Sequence, residues 1–323
     1  MFGLTRKSDA SRGRTGLSRS PEGISVAQVT RDKALIPRVS VCQFVEGGDH
    51  GEPEAMVALL DGIRLGSLPC NWALAGDDYQ LLLVEAPEVE PGELRAAVRW
   101  RIRDLIEFHI DDAVIDVFDV PGQKTGARAR MMYAVACRSP LVQKVVDALE
   151  DSELDLQVID IAELAMRNVA ALLEEDVSGV ALLHLERDYG LITISRQTSL
   201  YLARKLDIGF AQLGEALAAD GADVAFPGPA LQGLLEQIVL EVQRSLDYYE
   251  SHLSSSPATA LYLDPPVGMP ASLTEYFEQN LGVPVRALDL NRVLDCGGEL
   301  EPERQSRCLL ALGAALRLEQ AAL

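Results

Sequence analysis

Strand and helix signals alternate along this chain of 323 residues and predict an α/β protein of two similar halves, with a small α+β insert in the first. Three observations carry that prediction. Short runs of alternating apolar residues cluster at 23–44 and again at 179–206. Helical signals follow each cluster. Between the clusters, from about residue 77, the order strand, helix, strand, strand, helix, strand describes a compact insert with its own small sheet.

Gly23–Val29 and Arg38–Phe44 alternate apolar and polar residues and predict strands joined by the polar turn Thr30–Lys33. Glu54–Ile63 reads as a helix. Tyr79–Val84 predicts a strand, and Pro91-Gly92 introduces a helix from Glu93 to about Phe108. Leu94, Val98, Ile102, Leu105 and Ile106 mark one face of that helix, with Arg95, Arg99 and Arg103 on another. Ala113–Val120 and Ala129–Cys137 are strands, Ser139–Leu149 a helix, and Leu156–Ile161 a strand. The second cluster has strands at Gly179–Leu185, Leu191–Ile194 and Leu200–Leu206, then a helix from near Gly209. Leu231–Leu253 carries a wide apolar stripe and predicts the longest helix. Ala260–Leu263 and Pro284–Ala287 read as strands, and Leu273–Leu281 and Glu303–Leu318 as helices. The expected organisation is a basic tail at 1–20, a first core at 21–76 and 156–178, the insert at 77–155, and a second core at 179–323.

Composition narrows the function. Hydrophobic residues make up 48% and charged residues 24%, a globular balance. The net charge of −20 argues against nucleic-acid binding, which needs cations to neutralise phosphates. Residues 1–20 run the other way, with Arg6, Lys7, Arg12, Arg14 and Arg19 against Asp9 alone. No apolar run approaches the ~18 residues that span a bilayer, and no apolar segment follows the basic start, so a cytoplasmic chain is expected. Cys42, Cys70, Cys137, Cys296 and Cys308 are scattered without a C-x-x-C pair and read as reduced, mostly buried thiols. No G-x-S-x-G, H-E-x-x-H or P-loop pattern occurs.

Several segments together resemble a known family. Met1-Phe-Gly-Leu before basic residues, Val98–Phe108 before Asp111–Phe118, Glu241–Tyr249 before Leu261-Tyr-Leu263, and Leu310–Arg317 are similar to the PilM proteins of type IV pilus assembly. The tract Arg99–Pro121 and the run Asp188–Ile194 most resemble the MshI branch, from MSHA pilus biogenesis. The resemblance implies an actin-like (ribonuclease H-like) fold, whose members hold Mg-ATP with two Asp- and Gly-bearing loops and an adenosine-facing Gly turn. Here the three loops depart from that pattern. Ser18 and Ser20 stand in the first, His184 and Glu186 in the second, and Asp264, Pro265 and Pro266 in the third. A carboxylate repels phosphate and Pro has no N–H to offer. No cofactor and no catalysis are therefore expected, with Asp188 and Asp264 as shifted replacements the route by which Mg-ATP would still bind.

By resemblance the partner is the N-terminal cytoplasmic tail of a PilN-type single-span inner-membrane protein, lying between the first core and the insert. Contact with the pilus motor ATPase is a further implied partner. Trp100 and Phe108 are the candidate apolar anchors, and Arg99 and Arg103 the candidates to orient a carboxylate or backbone carbonyls. The chain would then sit peripherally at the inner membrane through its partner. Two alternatives stay open: a switch in which Mg-ATP controls partner affinity, and a GspL-like component of type II secretion.

Overall fold

The chain starts its first sheet with a strand that carries a single large apolar residue. In the computed structural model, which describes residues 13–31, 36–47, 53–123, 130–220, 227–254, 256–264, 268–270 and 272–318, β1 (Arg14–Ser20) pairs antiparallel with β2 (Gly23–Thr30). β2 pairs antiparallel with β3 (Arg38–Glu46). On its other side β1 runs parallel to β4 (Cys70–Leu74), which runs parallel to β8 (Leu156–Ile161). The expected tail at 1–20 is thus corrected: residues 14–20 are the middle of the sheet. Small side chains suit that place because a helix lies directly on it. A Cβ on Gly16 would come within 1.9 Å of the Ala311 carbonyl oxygen. Arg6, Lys7 and Arg12 lie outside the described residues, as do Pro265 and Pro266.

The second sheet repeats the first. β9 (Val180–Leu185), β10 (Gly190–Arg196) and β11 (Ser199–Leu206) form an antiparallel meander, and β9 runs parallel to β12 (Ala260–Leu263), which runs parallel to β13 (Val285–Ala287). The orders β3-β2-β1-β4-β8 and β11-β10-β9-β12-β13 are the same topology twice. This is the duplicated actin-like plan expected from the sequence.

The halves meet over α4 (Ala162–Ala170) and α9 (Leu309–Ala315), which pack against each other inside one apolar cluster that draws on both sheets. Their approach is close enough that the Asn168 amide donates to the Gly313 carbonyl at 2.9 Å. The outer face of the second sheet is covered by α5 (Phe210–Asp220), α6 (Pro229–Tyr248) and α7 (Ser272–Asn280), and that of the first by α1 (Pro53–Ala58) and α3 (Ser139–Asp151).

The remaining strands, β5 (Tyr79–Glu85), β6 (Ala113–Asp119) and β7 (Met131–Arg138), form a three-stranded sheet in the order β5-β7-β6. Alternation divides its faces. Met132, Ala134 and Ala136 lie under Val98 and Ile102 of α2 (Leu94–Ile102), whereas Tyr133 and Phe118 turn to the second half. The helix expected to reach Phe108 stops at Ile102. The amides of Leu105 and Ile106 both donate to the Ile102 carbonyl, at 2.9 and 3.1 Å, and close the chain into a turn. Two elements without an expectation, β4 and α4, complete the first half. The expected last helix is two, α8 (Pro302–Arg307) and α9, divided at Cys308.

Candidate functional site

β1 and β9 occupy equivalent central places in the two sheets, so the turns that follow them face each other across the interface. Ser18, Arg19, Ser20, Pro21 and Glu22 form one wall of a cleft, and His184, Leu185, Glu186 and Arg187 the other. Ser306 and Arg307, from the end of α8, close one side. The cleft holds about 480 Å³, open solvent included.

Its second-half wall carries an internal ion cluster. His184, 3% exposed on β9, points Nδ1 at Asp264 Oδ2 at 2.6 Å and Nε2 at Glu186 Oε1 at 3.0 Å. Burial works against a charged ring. The hydrogen bonds and charges of the two carboxylates outweigh it and lift the His184 pKa to about 10, so the ring is an imidazolium at neutral pH. Ser306 adds a hydrogen bond from across the cleft, donating to Asp264 Oδ2 at 2.7 Å. On the first-half wall, Arg307 pairs with Glu22 at 2.9 Å and Glu303 at 3.0 Å, while its guanidinium stands 4.5 Å from the Phe44 ring centroid. Arg19 is bound to Asp78.

Most charges of the cleft are matched by the protein's own side chains. Asp264 Oδ2 is bound by His184 and Ser306, while among the described residues its buried Oδ1 has no hydrogen-bond partner. The carboxylates of Glu22 and Glu186 line the cleft, and Arg19 and Arg307 hold Asp78, Glu22 and Glu303. Among the described residues no group of three or more His, Cys, Asp or Glu is arranged to hold a metal ion.

The sequence-expected loop residues Ser18, Ser20, His184 and Glu186 are therefore brought together, and Asp264 joins them through His184. Ser306, Arg307 and Glu22 were missed. Ser306 lies 42 residues from Asp264 in the chain, so only the fold joins them.

The four candidate partner residues lie elsewhere, on and after α2. Trp100 is 71% exposed, with the Arg103 guanidinium 5.9 Å from its ring centroid. Phe108 is half-buried, with the Arg138 guanidinium at 4.6 Å. Arg103 pairs with Asp104 at 3.1 Å. Arg99 donates to the carbonyls of Ala113, at 3.2 Å, and Ile110. It therefore ties α2 to the segment that begins β6. Among the described residues β6 pairs on one side only, leaving an edge flanked by α2 and α3.

No family model and no curated protein matches this sequence. Among solved structures, a chain of the PilM-PilN type IV pilus biogenesis complex superposes with a TM-score of 0.73 over 95% of this chain and 98% of that one, at 20% identity. That match shows the fold. More distant similarity extends to the cytoplasmic domain of EpsL, an inner membrane component of the type II secretion system of Vibrio cholerae. There the TM-score is 0.46 at 14% identity, over 92% of this chain and 93% of that one. An archaeal actin homologue gives a TM-score of 0.41 at 11% identity, over 94% and 98%. Among the described residues no helix is long and apolar enough to cross a membrane.

Proposed function

We propose that this chain is a non-catalytic scaffold of a type IV pilus assembly platform, of the MSHA type that its MshI-like segments suggest. In this reading it works at the cytoplasmic face of the inner membrane, needs no ATP or Mg, and holds the N-terminal tail of a PilN-type membrane protein. The observation that carries the non-catalytic role is the His184–Asp264–Glu186 cluster, which supplies from the protein's own side chains the cation that a nucleotide site would take from metal. The fold shared with a chain of the PilM-PilN complex supports the partner class.

Charge and backbone chemistry support the place of contact. Residues 77–155 contain 17 acidic against 9 basic side chains, a surface that attracts a basic tail. An extended peptide gains main-chain hydrogen bonds by pairing with an open strand edge, and β6 offers one. Trp100 stands exposed on α2, a large apolar face for the tail to cover.

Calorimetric titration separates this reading from a nucleotide switch. No heat with Mg-ATP or Mg-ADP up to millimolar concentration, together with binding of a PilN-type tail peptide, is the expected result. Micromolar nucleotide binding would make the switch the better reading. Trp100→Ala should weaken the tail by about tenfold, or about 1.4 kcal/mol, without changing the melting temperature. Unchanged affinity would remove this contact from α2.

A further inference from the structure

One end of the first sheet gathers cations in a chain whose net charge is −20. It is the end away from the cleft, roughly 20 Å along β1 from Ser20. Gly16 lies beneath Ala311 and Ala315, and the Ser25 hydroxyl donates to the Arg307 carbonyl, so α9 descends from the cleft toward the start of β1. Arg14, two residues before Gly16, projects from the same face of β1 at the C-terminal end of α9. Arg31, just past β2, reaches the same place and donates to the Leu316 carbonyl at 3.3 Å. The acids near this corner are engaged: Asp160 by Arg317 at 2.6 Å, Asp295 by Arg38 at 3.9 Å, and Asp155, two strands away, by Gln157 at 2.7 Å.

Among the described residues the Arg14 guanidinium has no hydrogen bond or ion pair. Burial and then the Arg317 charge push its pKa below the ordinary value, and burial does the same to Arg31, as for cations that lack a counter-charge. Two apolar side chains stand exposed beside them. Thr30 pairs with Arg38, so the turn between β2 and β3 lies at this end, where Ile36 is 51% exposed. Leu318, next to Arg317, is 61% exposed. The sequence ahead of β1 adds Arg6, Lys7 and Arg12 against Asp9 alone. Eight residues of chain span at most about 28 Å, so these charges stay tethered to the corner.

We propose that this corner rests on an anionic lipid surface, with Arg14 and Arg31 against the phosphate headgroups and Ile36 and Leu318 at the edge of the acyl region. Cations interleaved with exposed apolar side chains are what such an interface takes up. The remainder of the chain is strongly acidic and is repelled by the same surface, which selects this end over the others. The inference rests on the inner-membrane position in the proposed function, but the contact itself needs no partner tail.

The test sediments the full chain with phosphatidylcholine vesicles that contain about one-third phosphatidylglycerol or none. Binding to the anionic vesicles alone, lost at high salt, is the expected result. Arg14→Gln should weaken it about fivefold, and Arg14→Gln with Arg31→Gln about 25-fold, since each cation near such a surface is worth about fivefold. Ile36→Ser should weaken it too, whereas Arg244→Gln on α6 should not. Melting temperatures check that the variants fold, and Arg14→Gln, which breaks no bond among the described residues, keeps the test decisive if the double variant does not. No vesicle binding, equal binding to neutral vesicles, or native-like binding by the arginine variants would each overturn the proposal. Displacement by inorganic phosphate at constant ionic strength would do so by marking a discrete anion site. Binding of polyglutamate without vesicle binding would do so by marking an acidic protein partner. A chain that binds vesicles but no PilN-type tail peptide strikes only the proposed function, and the reverse strikes only this inference.

Discussion

His184 shows how two carboxylates set the charge of one buried side chain in the cleft. Its neutral form would face two carboxylates with a single N–H; its charged form donates to both. Because the folded pKa of about 10 lies above the ordinary value of about 6.5, folding takes up a proton. The stabilisation is therefore complete below about pH 6.5 and disappears as pH rises through 10. Replacing His184 with Gln keeps the shape and some hydrogen bonding but leaves Asp264 without a cation in the interior. We expect a loss on the order of 3 kcal/mol at pH 7, most of it gone near pH 10, because removing one member of a buried ion pair leaves the other uncompensated. Urea unfolding at pH 6, 8 and 10 measures this. A variant whose stability falls between pH 8 and 10 as steeply as the native protein's would show that His184 is not the titrating group.

Among the elements, α4 and α9 are the hinge pin of the molecule and were the hardest to read. The strands β9, β10 and β11 were legible because apolar residues alternate along them and tight turns separate them. α4 carries only a short stripe of mostly small residues, Ala162, Ala165, Met166 and Val169, with charged and polar residues between them. Glu163, Arg167 and Asn168 are buried with Ala162, Ala165, Met166 and Val169, since both sheets and α9 surround the helix. β1 hid for a related reason: with Gly16 and Ser18 beneath α9, its only large apolar residue is Leu17. The cleft was half legible. His184 and Glu186 stand out as departures from a loop pattern that the family resemblance supplies, whereas the places of Ser306 and Arg307 depend on where the α8–α9 corner lands. That corner is fixed by close helix approach. A Cβ on Gly313 would come within 2.2 Å of the Ala165 carbonyl oxygen and 2.5 Å of its carbon, backbone atoms that cannot step aside. Gly313→Ala should therefore cost about 3 kcal/mol despite the better helix propensity of Ala, because overpacking outweighs a gain of about 1 kcal/mol. Chemical denaturation checks the sign, and a stabilised variant would mean that the two helices have room to separate.

At the scale of the whole molecule, several contacts besides the α4–α9 pair join the halves. One is at the end of α8, where Arg307 pairs with Glu22 at 2.9 Å. A second lies in the turn between β4 and β5, where Gly76 N donates to the Tyr189 hydroxyl at 2.8 Å and Lys205 donates to Gly76 O at 3.2 Å, with an ion pair to Asp77. The two contacts at this second joint differ in worth. Tyr189 is 7% exposed, so its hydroxyl accepts a donor that has no water to turn to. The Lys205 and Asp77 side chains are 40% and 64% exposed, and solvent screens their attraction. Tyr189→Phe should thus cost about 1–2 kcal/mol and speed amide exchange at Gly76, since it leaves a buried N–H unpaired. Lys205→Ala, which removes the charge seen most easily in the structure, should cost less than about 1 kcal/mol. Denaturant unfolding with hydrogen exchange at Gly76 ranks the two. If the lysine variant proves the more damaging, the halves are held there by charge, and their closure would then weaken with salt. If the tyrosine variant does, the joint is a buried hydrogen bond insensitive to ionic strength.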